Sequence, residues 1–314
     1  MTSVFINRIA TAVPDFDIHN KFIEYCPRLL PDKRSVKVFQ RMAERAQIEQ
    51  RFAFILAKRA LDQLDLSSTT HLVTTTCTGF YAPGLDHQLI HHYGLPGSVE
   101  RTNVGFMGCY AAINALKLAR HIVRSEPDAK VLVLNLELCT LHLKPTGTLE
   151  EILSFAIFSD GCAASIVAAE PAGLEIQGFN TDVLPETEAL ITWRIGNQGF
   201  DMQLSGKVPS VIASHLPLMM TKLLDGYQRS DIAHWAIHPG GRTVLDAVKA
   251  GAELEENQLT ASREVLRKFG NMSSATIMFV LQAMMNNPKK PGPGLAMAFG
   301  PGLTVESMLF DLKG

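Results

Sequence analysis

The chain has 314 residues, of which 46% are hydrophobic and 19% charged, a composition typical of a folded protein with a sizeable core. Its 29 Lys and Arg residues nearly balance 31 Asp and Glu residues, so no overall field favours nucleic acid or an acidic membrane surface. No apolar run is long enough to cross a membrane, and the first residues lack the apolar segment of a signal peptide. We therefore expect a cytoplasmic protein. The five cysteines lack the paired spacing of zinc sites, which argues against a structural metal or a disulfide framework.

The first half of the chain alternates between predicted strands and helices. Strands are predicted at residues 4–9, 71–77, 130–138 and 163–169, and helices at 35–47, 52–64, 109–124 and 149–158. Pro171 and Gly173 then interrupt the pattern, so we place a boundary there that divides the chain into 1–170 and 171–314.

The second half starts again with a predicted strand at residues 174–179, followed by an irregular, glycine-containing stretch at 193–206. Further predicted elements are helices at 208–224, 243–250, 260–269 and 273–285, a strand at 233–238, and a hairpin of 295–299 with 303–310. Alternating strands and helices in both halves predict an α/β architecture with helix-covered sheets. No internal sequence repeat is visible.

A cysteine stands where a glycine-containing turn leads into a predicted helix, in Gly105-Phe106-Met107-Gly108-Cys109-Tyr110. The unpaired N–H groups and the positive end of the helix dipole stabilise an anion at this position. The Cys109 thiol is therefore expected to ionise more easily than a free thiol, which makes Cys109 a candidate nucleophile. The alternative is a structural cysteine that packs against its own helix.

Two later segments carry polar side chains next to predicted elements. His238 ends a strand and is followed by Pro239-Gly240-Gly241, and the carboxyl ends of strands are where α/β proteins usually build their sites. The alternative is a core histidine with both nitrogens hydrogen-bonded. Asn271, in Gly270-Asn271-Met272-Ser273-Ser274, precedes a helix and could serve simply as its N-cap.

The combination of these three segments resembles the chalcone synthase-like type III polyketide synthases, a branch of the thiolase superfamily. Ala156-Ile157-Phe158-Ser159-Asp160-Gly161-Cys162 and Phe299-Gly300-Pro301-Gly302-Leu303 also match, and the resemblance runs from about Lys37 to the end. It implies a thiolase-like fold of two similar halves, layered α-β-α-β-α, and a homodimer. It also implies loading of an acyl group from acyl-CoA, iterative decarboxylative condensation with malonyl-CoA, and cyclisation to a pyrone or a phenolic or resorcinolic ring.

The resemblance assigns a Cys-His-Asn triad to Cys109, His238 and Asn271. A Cys109 thiolate paired with protonated His238 would accept the acyl group. His238 and Asn271 would then donate hydrogen bonds to the malonyl thioester and stabilise the enolate left by loss of carbon dioxide. Because decarboxylation supplies the carbanion, we expect no metal, nicotinamide or flavin cofactor.

The resemblance also implies which residues line the acyl cavity and its entrance. Phe158 matches one of two aromatic gatekeepers, and the second position holds Met202, with Phe200 as the alternative. Trp193 would fill space that a glycine leaves open in relatives. The other cavity positions implied by the resemblance are Cys77, Ala82, Cys139, His142, Ser273 and Gly300, where Cys77 and Cys139 can equally be inert lining.

Coenzyme A binding is implied for Arg41, Arg45 and Gly241. Arg41 and Arg45 share a predicted helix face with other cations, and the simpler interpretation of such a face is that water solvates it. Val38 replaces a lysine of the relatives, so coenzyme A and an acyl carrier protein both stay open as donors of the starter. The chain also lacks several tens of residues that relatives carry after Arg51; this shortening could widen the tunnel mouth, although a trimmed surface loop is the interpretation we favour.

Other functions also stay open. A single-condensation ketoacyl synthase would release only a β-keto product, and a catalytically silent thiolase-fold subunit would lack a member of the triad. Papain-like proteases also use Cys, His and Asn, but in different sequence surroundings. His87 and His91 have a spacing that can hold a metal on a helix, although an exposed helix face is the interpretation we favour.

Overall fold

The computed structural model describes residues 2–17, 24–30, 32–46, 52–53, 57–79, 81–144, 146, 148–197, 199–286 and 291–313. Its strands are β1 (Phe5–Ala12), β2 (Phe16–Asp17), β3 (Phe52–Ala53), β4 (His71–Thr76), β5 (Glu100–Gly105), β6 (Val131–Leu138), β7 (Asp160–Ala168), β8 (Leu174–Val183), β9 (Ile191–Gly196), β10 (Gly199–Leu204), β11 (His234–Ile237), β12 (Gly292–Gly300) and β13 (Thr304–Leu312). Its helices are α1 (Lys33–Ala46), α2 (Ala57–Leu61), α3 (Leu85–Tyr93), α4 (Ala111–Ser125), α5 (Leu149–Ile157), α6 (Val208–Leu224), α7 (Arg242–Gly251), α8 (Thr260–Phe269) and α9 (Thr276–Asn286).

Nine strands form one mixed sheet in the order β11-β12-β13-β8-β1-β7-β6-β4-β5. In the first half, β1 pairs antiparallel with β7, β7 antiparallel with β6, and β6 parallel with β4. In the second half, β8, β13, β12 and β11 pair in the same order and the same senses. The two sets meet where β1 pairs with β8. The fold is therefore built of two similar halves, although no sequence repeat marks them.

Helices α4 and α9 occupy equivalent places in the two halves and share the main hydrophobic core. Each follows a 3-10 turn, Gly108–Tyr110 before α4 and Ser273–Ala275 before α9, and each leads into the third strand of its half. Ala112, Ile113 and Leu116 of α4 are fully buried, as are Ile277 and other residues of α9. The two 3-10 turns lie against each other. The packing of α4 and α9 thus brings two distant segments of sequence to one point.

Two predicted elements differ from the structure. The stretch at 193–206, predicted to be irregular, lies mostly in the β9–β10 hairpin, in which Met202 lies opposite Trp193. Apolar and polar residues do alternate there with the period of a strand, and the glycines mark the turn. The predicted helix at 52–64 is also wrong at its start, because Phe52–Ala53 pairs with β2 and the helix covers only Ala57–Leu61.

Two features of the surface bear on where the protein can act. Among the described residues, no helix combines the length and the apolar character needed to cross a membrane. β5 stands at the end of the large sheet and pairs with β4 on one side, so its other edge is open within the described part of the chain.

Candidate active site

Cys109 lies in the 3-10 turn that leads into α4 and is half-buried at the wall of a cavity. The turn depends on Gly108, whose φ of +76° favours glycine and whose Cβ, if present, would lie 2.1 Å from Pro301 Cδ. A Cβ on Gly300 would lie 2.6 Å from Tyr110 Cδ1 and 3.3 Å from the Cys109 nitrogen. The 300–301 backbone therefore packs directly against the turn and fixes the position of Cys109.

His238 follows β11, where its backbone N–H donates to the Met297 carbonyl at 2.8 Å. Its side chain is only 1% exposed. Neither Nδ1 nor Nε2 has a hydrogen-bond partner among the described residues. The structure therefore does not show a core histidine with both nitrogens hydrogen-bonded. A buried imidazole without hydrogen-bond partners is typical of a group that binds a ligand.

Asn271 combines capping with contact to the nucleophile. Its Oδ1 accepts a hydrogen bond from the Ser273 N–H at 2.9 Å, as a residue that caps the following turn would do. This leaves the amide nitrogen free to donate, and it donates to the Gly240 carbonyl at 3.3 Å. The side chains of Asn271 and Ser273 also hydrogen-bond the Cys109 sulfur. Capping thus turns the amide N–H groups of Asn271 toward the site.

Burial controls the protonation of Cys109 and His238. Burial raises the pKa of the Cys109 thiol to about 12, although the hydrogen bonds from Ser273 and Asn271 act in the opposite direction. Burial also lowers the pKa of His238 to about 3. The prediction that Cys109 ionises more easily than a free thiol is wrong, because the helix end and two hydrogen bonds do not offset the loss of water. Burial thus favours the neutral forms of both the Cys109 thiol and the His238 imidazole.

A cavity of about 100 Å³ opens over Cys109 and is largely apolar. Of the positions predicted from the sequence, its wall includes Cys77, Cys139, His142, Phe158, Trp193, Met202 and Ser273. The sequence analysis missed Phe106, Phe155 and Ile191, which also line it. Ala82 and Gly300 were also predicted, but they are not among the described residues that line the cavity. Gly300 lies behind the lining, against Tyr110.

Phe158 and Met202 lie on the cavity wall, as the gatekeeper positions predict. The segment of Phe158 is tied to Asn271, since the Asn271 N–H donates to the Ile157 carbonyl at 3.0 Å and the Ser159 N–H donates to the Asn271 carbonyl at 2.8 Å. Phe200 is not on the wall and instead stacks on Trp193, with ring centroids 5.0 Å apart. Met202 rather than Phe200 therefore faces the cavity.

Four rings pack together in what we call the aromatic wall: Phe106, His142 and Trp193 line the cavity, and Phe200 packs against all three from outside the lining. The His142 ring stands edge-on to Trp193 at 5.2 Å and to Phe200 at 4.9 Å, and Phe106 lies 5.3 Å from Phe200. The Trp193 Nε1–H donates to the Cys77 carbonyl at 2.9 Å. Ring packing and this hydrogen bond hold the indole in one place.

A buried carboxyl group that the sequence analysis did not assign lies beside Cys77. Glu137 accepts hydrogen bonds from Ser274 Oγ at 2.5 Å, the Cys77 N–H at 2.9 Å and Thr78 Oγ1 at 3.1 Å. Burial nevertheless raises its pKa from 4.5 to about 7. A glutamate inside the largely apolar strand β6, which Asn135 also interrupts, was the available signal, because a buried charge is rare without a specific purpose.

We predict that Glu137 makes the stability of the folded protein depend on pH. Between pH 4.5 and 7 the folded protein binds a proton at Glu137 that the unfolded chain has released, so the free energy of unfolding falls as pH rises through this window, by up to about 3 kcal/mol. His238 acts in the opposite direction between about pH 3 and 6.5, because its pKa is lowered. Urea unfolding of Glu137→Gln beside wild type isolates the first effect.

The variant should gain stability relative to wild type between pH 5 and pH 8, whatever its absolute stability. A difference in the free energy of unfolding between the two proteins that does not change with pH would show that the Glu137 carboxyl group is ionised throughout this range.

The remaining predicted positions lie away from the cavity wall or outside the described residues. The side chains of Arg41 and Arg45 fall outside the described part of α1. Gly241 is the residue before α7, in extended conformation, where a Cβ would lie 4.0 Å from Ile157. The rings of His87 and His91 contact each other edge-on at 4.6 Å, and the described residues contain no group of three side chains suited to a metal ion.

Comparison with known proteins identifies the family. Residues 57–171 match the N-terminal domain of chalcone and stilbene synthases, and residues 175–312 match their C-terminal domain. The alpha-pyrone synthesis polyketide synthase-like Pks18 of Mycobacterium tuberculosis is 36% identical over 271 residues, which cover 82% of this chain and 69% of that protein. Bisdemethoxycurcumin synthase of Oryza sativa subsp. japonica is 35% identical over 260 residues, covering 76% and 65%.

A solved structure shows the same fold over nearly the whole chain. The C-terminal type III polyketide synthase domain of Steely1 from Dictyostelium superimposes with a TM-score of 0.92 at 25% identity, covering 99% of both chains. The predicted α/β thiolase-like fold of two similar halves is thereby confirmed. With its two domain matches and its cysteine at the wall of a cavity, the chain belongs to the chalcone and stilbene synthase family, the type III polyketide synthases, which are acyltransferases that carry out decarboxylative condensation.

Proposed function

We propose that this enzyme loads an acyl group from acyl-CoA on Cys109, extends it iteratively with malonyl-CoA, and cyclises the product to a pyrone or a phenolic ring. The observation that carries the proposal is the surroundings of Cys109: Asn271 and Ser273 hydrogen-bond its sulfur, and an apolar cavity lies over it. The similarity to a relative named for alpha-pyrone synthesis supports the pyrone as product.

The loading step starts from neutral groups. We propose that His238 takes the thiol proton while the Cys109 sulfur forms a bond to the acyl carbon, and returns that proton to the departing coenzyme A thiolate. The depressed pKa of His238 favours this return, because the protonated ring is costly to keep in a buried site. The thiolate and imidazolium would therefore exist only while the sulfur attacks.

The extension step uses the same donors. An N–H of neutral His238 and the amide N–H of Asn271 would donate to the thioester oxygen of malonyl-CoA while carbon dioxide leaves. The resulting enolate carbon then bonds to the acyl carbon, and the bond from that carbon to the Cys109 sulfur breaks. The extended chain is now a coenzyme A thioester, and the freed Cys109 thiolate attacks its carbonyl carbon and takes the chain back as coenzyme A thiolate leaves. This chemistry supplies its own carbanion, so we propose that no metal, nicotinamide or flavin takes part.

Access to the cavity would pass between Phe158 and Met202. A methionine side chain is flexible and adapts to different shapes, so an entrance of one phenylalanine and one methionine suits bulkier acyl groups better than two aromatic rings. We keep Arg41, Arg45 and Gly241 as the proposed contacts for coenzyme A, with an acyl carrier protein as the alternative donor of the starter.

We further propose that the enzyme is a cytoplasmic homodimer. Tyr81 and Leu141 are 55% and 50% exposed, and both line a surface groove of about 290 Å³. Exposed apolar groups of this size, together with the open edge of β5, are typical of surfaces that a second copy covers.

We predict that sedimentation velocity at micromolar concentration shows one species of twice the chain mass, and that Tyr81→Lys shifts it toward the monomer. A wild-type monomer would contradict the proposal.

Mass spectrometry of the products tests the proposed activity. The enzyme is incubated with malonyl-CoA and a panel of short, aromatic and long acyl-CoAs, beside a Cys109→Ala control. Cysteine-dependent triketide or longer pyrones, or resorcinols, would support the proposal and identify the starter. Diketides alone would indicate a single-condensation ketoacyl synthase. Equal output from wild type and control on every starter would refute the proposal for coenzyme A substrates and direct the test to carrier-protein thioesters.

A further inference from the structure

His142 is a histidine on the cavity wall to which the proposed steps give no task. It ends the 3-10 turn Cys139–His142, directly after β6, and it is half-buried. Among the described residues that line the cavity with Cys109, it is the only histidine, since His238 is not one of the lining residues. A histidine beside a reacting thioester can move protons, which the other wall residues do poorly.

One hydrogen bond fixes which nitrogen of His142 carries the proton. Its Nε2 lies 2.9 Å from the Thr78 carbonyl oxygen. A carbonyl oxygen only accepts, so Nε2 must donate and the neutral ring has its lone pair on Nδ1. Within the described part of the chain, Nδ1 has no hydrogen-bond partner. The tautomer therefore keeps a basic nitrogen available.

The aromatic wall holds the His142 ring in this orientation. Trp193 and Phe200 contact the ring edge-on, and these two rings stack on each other with an interplanar angle of 19°. Trp193 is fixed in turn by its hydrogen bond to the Cys77 carbonyl. A side chain held on several sides by rigid groups loses little entropy when it acts on a bound substrate.

The other polar groups on this wall are poor bases. Burial raises the pKa of the Cys77 and Cys139 thiols well above the usual range, so both are neutral. Thr78 and Ser273 offer hydroxyl groups, and the Thr78 hydroxyl already donates to Glu137. His142 is thus the residue that brings a nitrogen base to the described lining of the cavity that also holds Cys109.

We propose that His142 is a catalytic residue that closes the pyrone ring and releases the product from Cys109. In a triketide bound to Cys109, Nδ1 takes the proton of the C5 enol hydroxyl, whose oxygen bonds to the C1 carbonyl carbon. The bond from C1 to the Cys109 sulfur then breaks, and the leaving thiolate takes the proton back from Nδ1. Nothing is oxidised or reduced, and no co-reactant is needed. The inference rests on the proposed function.

His142→Gln tests the proposal, because the glutamine amide can still donate to the Thr78 carbonyl but carries no base. Excess enzyme is mixed with a starter acyl-CoA and malonyl-CoA, and samples are quenched over time. Intact-protein mass spectrometry follows the acyl chain on Cys109, and liquid chromatography follows released pyrone. We expect loading and the first condensation within about twofold of wild type, and release slowed about 10²-fold or more, with triketide accumulating on Cys109.

Two further variants separate basicity from packing. Trp193→Phe removes the hydrogen bond to Cys77 and loosens the aromatic wall but leaves the base, so it should slow release less than His142→Gln does. His142→Ala should stall like His142→Gln, and added imidazole should restore part of its release, which a purely structural role would not allow.

Two results would overturn the inference. Release from His142→Gln at the wild-type rate would show that the ring closes without this base. An equal slowing of loading, condensation and release in both His142→Gln and Trp193→Phe would assign His142 to packing alone. Failure of the proposed function looks different, because wild type itself would then neither acylate Cys109 nor consume malonyl-CoA.

Discussion

Cys109→Ala is expected to release no extended product from any acyl-CoA, while it continues to convert malonyl-CoA into acetyl-CoA. The sulfur is the only group proposed to hold the acyl chain, so its removal leaves the enolate without an acceptor. Decarboxylation depends instead on hydrogen-bond donors to the thioester oxygen, and these belong to His238 and Asn271. In the Cys109→Ala reaction, we therefore expect that carbon dioxide is still released while no polyketide forms, with both measured in the same sample.

Asn271→Asp is the matched variant for this experiment. The carboxylate keeps the acceptor that the Ser273 N–H uses, but it loses the amide donor and places a negative charge beside the sulfur. Removing one donor to a developing oxyanion typically costs about 10²- to 10³-fold in rate, so decarboxylation and condensation should fall together. Loss of decarboxylation in Cys109→Ala, with Asn271→Asp unaffected, would require a different assignment of the two residues.

Gly108→Ala is expected to lower both stability and activity, because two penalties meet at one position. Its φ of +76° is unfavourable for alanine by about 1 kcal/mol or more, and the new Cβ would lie 2.1 Å from the ring of Pro301. A proline ring cannot rotate away, so the turn must move. Displacing the turn moves Cys109, and a shift of about 1 Å in a reacting group can cost about 10²-fold in rate.

Gly94→Ala provides the control for the backbone penalty alone. Gly94 has a φ of +61° at the end of α3, and a Cβ there would meet no atom within 4 Å. Urea unfolding should show a loss of about 1 kcal/mol for Gly94→Ala and a larger loss for Gly108→Ala, with polyketide formation reduced only in the latter. Equal losses in the two variants would mean that the turn accommodates the methyl group beside Pro301.

The sequence predicted the elements that local patterns determine. The helix at residues 260–269 was placed at its observed ends, and the strands β4 and β11 lie where their apolar runs predict. The strand β5 that precedes Cys109 was not predicted, because Glu100–Gly105 is largely polar and exposed. The β9–β10 hairpin was missed, because glycines near its turn outweighed a clear strand alternation. The boundary near residue 170 and the tasks of the individual site residues stay predictions.

The electrostatics of the site could not be predicted in the same way. A helix N-terminus favours a thiolate, and this local effect is visible in the sequence around Cys109. The opposing effect of burial depends on how much water the surrounding side chains exclude, and these come from several elements that lie apart in the sequence, among them Cys77, Phe158 and Trp193. Glu137 illustrates the same limit, since its partner Ser274 belongs to the other half of the chain.

The internal symmetry of the fold has a consequence for how the enzyme fails. The nucleophile stands at the start of α4 in one half, and its two proposed hydrogen-bond donors stand in the other half, after β11 and before α9. Neither half alone can therefore hold a complete reaction centre, so activity requires that both halves are folded and that α4 and α9 are packed correctly. A substitution that weakens the packing between α4 and α9 should abolish activity under conditions in which each half is still folded.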